Sequence, residues 1–162
     1  MRSFTTDMDI AKRRLIGRAI VSKRYYPLLE KLTSYVAIPD NIVTLETSDD
    51  IIKSKGRGET LLMKTYLFQD KGAIKNDILR FVDADKDFYL WTEDSNYCGL
   101  LHMPNMQSFN FDFDFTLDDP NGIIEFLYPD KRIVIDYYEE SDEHYVDLKI
   151  CQLLPKSISS FI

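Results

Sequence analysis

The alternation of hydrophobic and polar positions is strongest between residues 109 and 150. Phe109, Phe111, Phe113 and Phe115 alternate with Asn110, Asp112, Asp114 and Thr116, a two-residue period that places rings on one side and polar groups on the other, as in a half-buried β-strand. Residues 109–117 therefore read as a strand. Three further strand-like runs follow at 123–128, 132–138 and 145–151. Their connections carry turn chemistry: Asp118-Asp119-Pro120-Asn121-Gly122, Pro129-Asp130-Lys131 and Glu139-Glu140-Ser141-Asp142-Glu143, the first with an Asn-Gly hairpin signal. Strands at this spacing predict an antiparallel meander.

Alternation also assigns faces. Phe109, Phe111, Phe113, Phe115, Ile124, Phe126, Tyr128, Ile133, Ile135, Tyr137, Val146, Leu148 and Ile150 are expected to face inward. Asn110, Asp112, Asp114, Thr116, Glu125, Asp136, Tyr138, Asp147 and Lys149 are expected outside, together with Ile123, Leu127 and Val134. Aliphatics on an otherwise wet face imply partial cover.

The N-terminal half reads differently. From Asp7 to about Tyr26 the apolar residues Met8, Ala11, Leu15, Ile16, Ala19 and Ile20 recur at helical spacing, and Thr5, Thr6 and Asp7 offer capping chemistry at the start. Pro27 suits the first turn of a second helix over 28–36. Pro39-Asp40-Asn41 predicts a turn, 42–47 a short strand, 53–58 a loop, and 61–68 a strand pairing with 42–47. A helix is expected over 73–82, with short strands at 88–92 and 100–103. The fold class is accordingly α+β: N-terminal helices, then a mainly antiparallel sheet ending in the meander, with one internal helix. One domain over 1–162 is expected, with a helical part at about 1–38 and a sheet-rich part at about 42–154.

Charge divides the chain along the same line. Residues 1–64 hold 12 Lys/Arg against 8 Asp/Glu, whereas residues 65–162 hold 8 against 19. A general nucleic-acid binder is disfavoured, because the larger, acidic part would repel phosphates. A basic protein partner fits better, as does docking of the basic part on the acidic part; in the second case the N-terminal helix would cover the outer face. Cys98 and Cys151 are too few for a disulfide framework. No apolar run reaches membrane-spanning length, and the cations at 12–18 interrupt any leader-like segment. A cytoplasmic protein is expected.

Candidate chemistry is sparse. Asp83, Asp85, Asp87 and Asp94 reproduce part of a calcium-loop spacing, but Phe88 stands where the sharp turn needs Gly and Asp94 where a bidentate Glu belongs. Lys55-Gly56-Arg57-Gly58 lacks the order of a phosphate-cradling loop. Cys98 and His102 are close in sequence without a third ligand or an orienting acid. No cofactor, metal site or catalytic residue is assigned.

What remains is an acidic, aromatic surface made of Asp112, Asp114, Asp136, Tyr138, Glu139, Glu140, Asp142, Glu143 and Tyr145. It combines electrostatic steering with aromatic anchors. In size, acidity and lack of catalytic residues the chain resembles bacterial immunity proteins that block nuclease toxins, and phage-encoded inhibitors that imitate nucleic-acid charge. That resemblance is one of type, without a shared motif. It implies a non-enzymatic inhibitor with a basic toxin as partner; self-association through open sheet edges is a further option. The alternative is a metal-dependent phosphoryl-transfer or nucleotidyltransferase-like enzyme, in which Asp112 and Asp114 on one strand face would hold a divalent ion.

Overall fold

In the computed structural model, residues 7–113 and 122–154 are described. Helix α1 (Asp7–Ile20) runs through a π-helical turn (Val21–Tyr25) into α2 (Tyr26–Leu32), with Pro27 in the first turn of α2 as expected. Short α3 (Ile38–Asn41) and longer α4 (Leu45–Ser54) follow, then β1 (Gly58–Leu67) and α5 (Lys71–Leu79). The chain continues through β2 (Phe88–Trp91), α6 (Ser95–Cys98), β3 (Leu101–Met103), a 3-10 turn (Met106–Ser108), β4 (Gly122–Leu127), β5 (Lys131–Glu140) and β6 (Glu143–Leu153). The strands form one antiparallel sheet in the order β1-β6-β5-β4-β2-β3. The fold is α+β.

The meander from β4 to β6 follows the predicted alternation. Ile124, Phe126, Tyr128, Ile133, Ile135, Tyr137, Val146, Leu148 and Ile150 are buried together with Leu29 and Leu32 of α2 and Ile74 and Ile78 of α5. Each such side chain contributes about 1.5–3 kcal/mol on leaving water, so this face is the one that holds the helices. At Gly122 the partner strand's Tyr137 ring lies where a side chain would go, its hydroxyl 2.3 Å from an added Cβ; only glycine permits that approach. The β5–β6 turn is tight, with Ser141 and Asp142 both at positive φ (52° and 65°), the conformation of a two-residue type I′ hairpin.

Three expectations are corrected. The phenylalanine run is no strand where it is described. Phe109 makes one bridge to Thr33, and Asn110 takes over from there. Its side chain accepts from Asp112 N and donates to Lys31 O, while its N–H donates to Leu32 O. This Asx turn and its anchoring to α2 divert the backbone from the sheet. Phe109 and Phe113 still enter the core, stacking edge-on against Phe126 and Phe68. Residues 114–117 of that predicted strand lie outside the described residues.

Residues 42–47 are likewise not a strand. Ile42 makes a single bridge to Leu101, after which the Thr44 side chain accepts from Thr47 N at 3.1 Å and starts α4. The β-branched residues read as a strand in fact hold a helix cap. β1 pairs with β6 instead, and the loop expected over 53–58 is shortened by α4.

The third correction concerns which side of α1 is buried. Leu15 and Ile16 are 63% and 41% exposed, whereas Arg13 is buried. Gly17 lets α1 approach α6 so closely that an added Cβ would lie 2.2 Å from Tyr97 O. The helix therefore docks by an arginine and a glycine, not by its apolar arc.

Candidate functional site

Because every strand pairing is antiparallel and in register across β2–β6, the residues of the outer face fall into rows. One row runs Trp91, Glu125, Val134, Lys149, Met63, and the next Ile123, Asp136, Asp147, Thr65. A third holds Tyr138, Tyr145 and Leu67 at the β5–β6 end. The expected outer set from β4 to β6 is thus correct, but burial varies along it. Leu127 and Glu125 are buried, Glu125 holding Arg132 through two hydrogen bonds of 2.7 and 3.0 Å. Ile123, Val134, Asp136, Tyr138, Tyr145, Asp147 and Lys149 keep intermediate exposure, and Glu140 is exposed.

The basic helix does not supply the cover. α1 packs mainly on α6 and α4, and its Arg13 and Arg14 are engaged there. Arg13 Nη1 and Nη2 donate to Asp49 at 3.0 and 2.8 Å, and Arg14 binds Glu46. Arg24, in the π turn, grips Asp94 at 2.6 Å. Basic and acidic groups do dock on each other, but on α4 and beside α6 rather than on the meander's acids.

The acids that remain on the outer face crowd one another. Asp136 lies directly opposite Asp147. Asp147 Oδ1 accepts from Thr65 Oγ1 at 2.7 Å and from Tyr138 Oη at 3.1 Å. Burial, followed by the Asp147 charge, pushes the Asp136 carboxyl above the usual carboxylate range. Beside them Tyr138 and Tyr145 stack with centroids 5.7 Å apart. Desolvation, reinforced by the hydrogen bond to Asp147, pushes the Tyr138 phenol upward. Glu140 faces Glu143 at the hairpin end, with Asp142 in the turn. Glu139 is opposite His144, 3.8 Å from its Nε2, on the other side of the hairpin.

Of the expected surface, then, Asp136, Tyr138, Glu140, Asp142, Glu143 and Tyr145 come together on one end of one face, and Glu139 points to the opposite face of that hairpin. Asp112 does not join them: it sits in the Asx turn after Phe109, outside any strand. Asp114 lies outside the described residues. Asp147 and Thr65 complete the patch; Asp147 was legible as an outer acid, but its position against Asp136 needed the register. The calcium-like carboxylates are used otherwise, Asp83 accepting from Asp85 N, Asp87 binding His102 Nε2 at 2.7 Å and Asp94 holding Arg24. Cys98 Sγ lies 3.8 Å from Gly17 O, and burial pushes its thiol up to about 11. Among the described residues no group of three or more His, Cys, Asp or Glu is placed to hold a metal ion, and no helix is long and apolar enough to cross a membrane.

A cleft of about 540 Å³ opens at one end of the sheet between the π turn, α2 and β4, with Lys23, Arg24, Glu93 and Asp94 around an apolar floor of Leu28 and Ile123. Its most prominent charged pair, Arg24 and Asp94, is self-satisfied. At the acidic end of the outer face, by contrast, Asp136 faces Asp147 and Glu140 faces Glu143 across the β5–β6 ladder. In comparisons with known proteins, no family model matches the chain, and neither a curated protein nor a solved structure does.

Proposed function

We propose that the chain is a non-enzymatic protein-binding module that captures a basic protein on the acidic end of its outer sheet face, in the manner of a bacterial immunity protein neutralising a basic toxin in the cytoplasm. The observation that carries this reading is the Asp136–Asp147 pair, two like charges set opposite each other beside stacked tyrosines. Like charges in that position destabilise a sheet, and a partner Lys or Arg placed between them relieves the repulsion. Tyr138 and Tyr145 supply rigid aromatic area of the kind that dominates interface energetics, and Glu140, Asp142 and Glu143 extend the negative field that steers a basic partner. The phosphoryl-transfer alternative needs Asp112 and Asp114 on one strand face, a requirement that Asp112 in its turn does not support.

The test is recovery of a partner with tagged protein, followed by direct titration. A basic protein held by the wild type and lost when Glu140, Asp142 and Glu143 are reversed to Lys supports the reading. Retention of the partner by the reversed variant, or nucleotide hydrolysis or transfer by the purified chain with magnesium or manganese, abolished by Asp112→Asn, overturns it.

A further inference from the structure

The two edges of the sheet are unlike. The β3 edge is closed by the Ile42 bridge to Leu101 and by Val43 N donating to Leu100 O. Among the described residues no strand pairs with β1 on its far side, and nine of its ten residues are not buried, Tyr66 being the exception. Three of the exposed large hydrophobics among the described residues lie on this one strand: Leu61 (38%), Met63 (68%) and Leu67 (37%). An open, apolar strand edge is a template for pairing with another chain.

Register says which groups are offered. Phe68 N donates to His144 O at 2.9 Å, and the β1–β6 pairing runs without shift from Leu62↔Ile150 to Leu67↔Tyr145. Hydrogen-bonded and non-hydrogen-bonded pairs alternate in an antiparallel ladder. Tyr66, Lys64 and Leu62 therefore bond to β6, and Met63, Thr65 and Leu67 aim their N–H and C=O groups away from it. Leu67 O accepts from Asp70 N at 3.0 Å, which leaves its second lone pair. On the other side of Leu61 the register shifts at a bulge, so only the regular part, 62–67, suits further pairing.

We infer that β1 is a self-association edge, and that a second copy of this chain pairs with it antiparallel about a two-fold axis through Thr65. A two-fold antiparallel pairing keeps like faces on the same side, so opposing residues must share a face. Centring on Thr65 is the arrangement that uses the offered groups and stays clear of the bulge. It sets Thr65 against Thr65 of the second copy, Met63 against Leu67, and Lys64 against Tyr66. All three are compatible cross-strand neighbours: a β-branched pair whose hydroxyls stay on their own Asp147, an apolar pair, and an ammonium beside an aromatic ring. Lys64 Nζ already lies 5.0 Å from its own Tyr66 ring. Charge permits the approach, because β1 carries one acid and one base, Glu59 and Lys64, in a chain of net charge −7. The dimer would present both acidic outer faces on one side of a continuous sheet, giving an extended partner two sites.

The test is the mass of the full chain in solution under reducing conditions, by sedimentation or light scattering, at concentrations up to on the order of 100 μM, since dimer population follows protomer concentration. The wild type is expected to approach twice its 19.0 kDa. Met63→Glu with Leu67→Glu sets acids opposite acids and is expected to give a monomer, as is Met63→Lys with Leu67→Lys; mixing the two is expected to restore the dimer. Both sites are exposed, and unchanged circular dichroism checks that the monomers are folded. Thr65→Cys is expected to form an intermolecular disulfide on oxidation, because hydrogen-bonded pairs stand about 5.5 Å apart at Cα, and Glu59→Cys is not. A wild type that stays monomeric, a dimer that survives the acidic pair, or cross-linking at Glu59→Cys rather than Thr65→Cys overturns the inference. None of these outcomes depends on the basic partner, so the two proposals fail independently.

Discussion

Arg13 and Arg14 are adjacent in sequence and opposite in setting. The Arg13–Asp49 pair has side chains only 9% and 14% exposed, whereas Arg14–Glu46 is 41% and 54% exposed. Removing one member of a buried pair leaves an uncompensated charge and costs about 3 kcal/mol, whereas an exposed, solvent-screened pair contributes little. Arg13→Ala is therefore expected to lower unfolding stability several times more than Arg14→Ala in a denaturant titration. Asp136 works the other way. Its folded-state carboxyl titrates above the unfolded value, so the folded state binds the proton more readily and the group's unfavourable contribution is present at neutral pH. As pH falls through the folded value, that penalty disappears. Asp136→Asn is expected to stabilise the protein by about 0.5 kcal/mol at pH 7, with the gain over wild type vanishing near pH 3 in the same titration. At this scale the sequence named the charged residues but not their settings, because burial of Arg13 depends on Asp49, thirty-six positions away.

Elements were legible where local chemistry and long-range packing agree. The β4–β6 meander alternates cleanly, and its inner face is the buried one. Helix α4 shows the opposite case. Ile42, Val43, Thr44 and Thr47 favour a strand by type, but the Thr44 cap and the Ser48 hydroxyl, which accepts from Leu100 N at 2.9 Å, settle the segment from Leu45 as a helix tied to the residue before β3. Thr44→Ala is expected to cost about 1 kcal/mol, seen as a lowered midpoint in thermal or chemical unfolding. Gly17→Ala separates local preference from packing. On an exposed helix face the change would gain about 1 kcal/mol; against the Tyr97 carbonyl it is expected to cost about 1–3 kcal/mol instead. A stabilised Gly17→Ala variant would show that α1 and α6 can separate without penalty.

For the whole molecule, the charge split from sequence has a definite structural outcome: Arg13, Arg14 and Arg24 are neutralised by Asp49, Glu46 and Asp94, away from the meander. The acidic end of the outer face is left with crowded carboxylates and a tyrosine stack. If that end receives a basic partner, association is steered by charge. The association rate is then expected to fall about tenfold or more between low and high salt, while dissociation changes far less, in a stopped-flow or biosensor measurement. Tyr138→Ala, which removes a stacked anchor without altering net charge, is expected to raise the dissociation rate at fixed salt. The candidate surface was legible as a list of residues, six of which the β5–β6 hairpin gathers on one side. Asp112 fell away because the Asn110 side chain turns the backbone before it reaches the sheet.

The α+β class, the meander, its two faces and the segregation of charge were determined by sequence alone, because alternation and turn chemistry act between near neighbours. Only the tertiary structure decided which face of α1 is buried, that the phenylalanines fill the core from a loop, that β1 pairs with β6, and that Asp136 meets Asp147. Each of these depends on groups brought together from distant parts of the chain, where a single hydrogen-bonded side chain such as Asn110 or Thr44 outweighs the local periodicity.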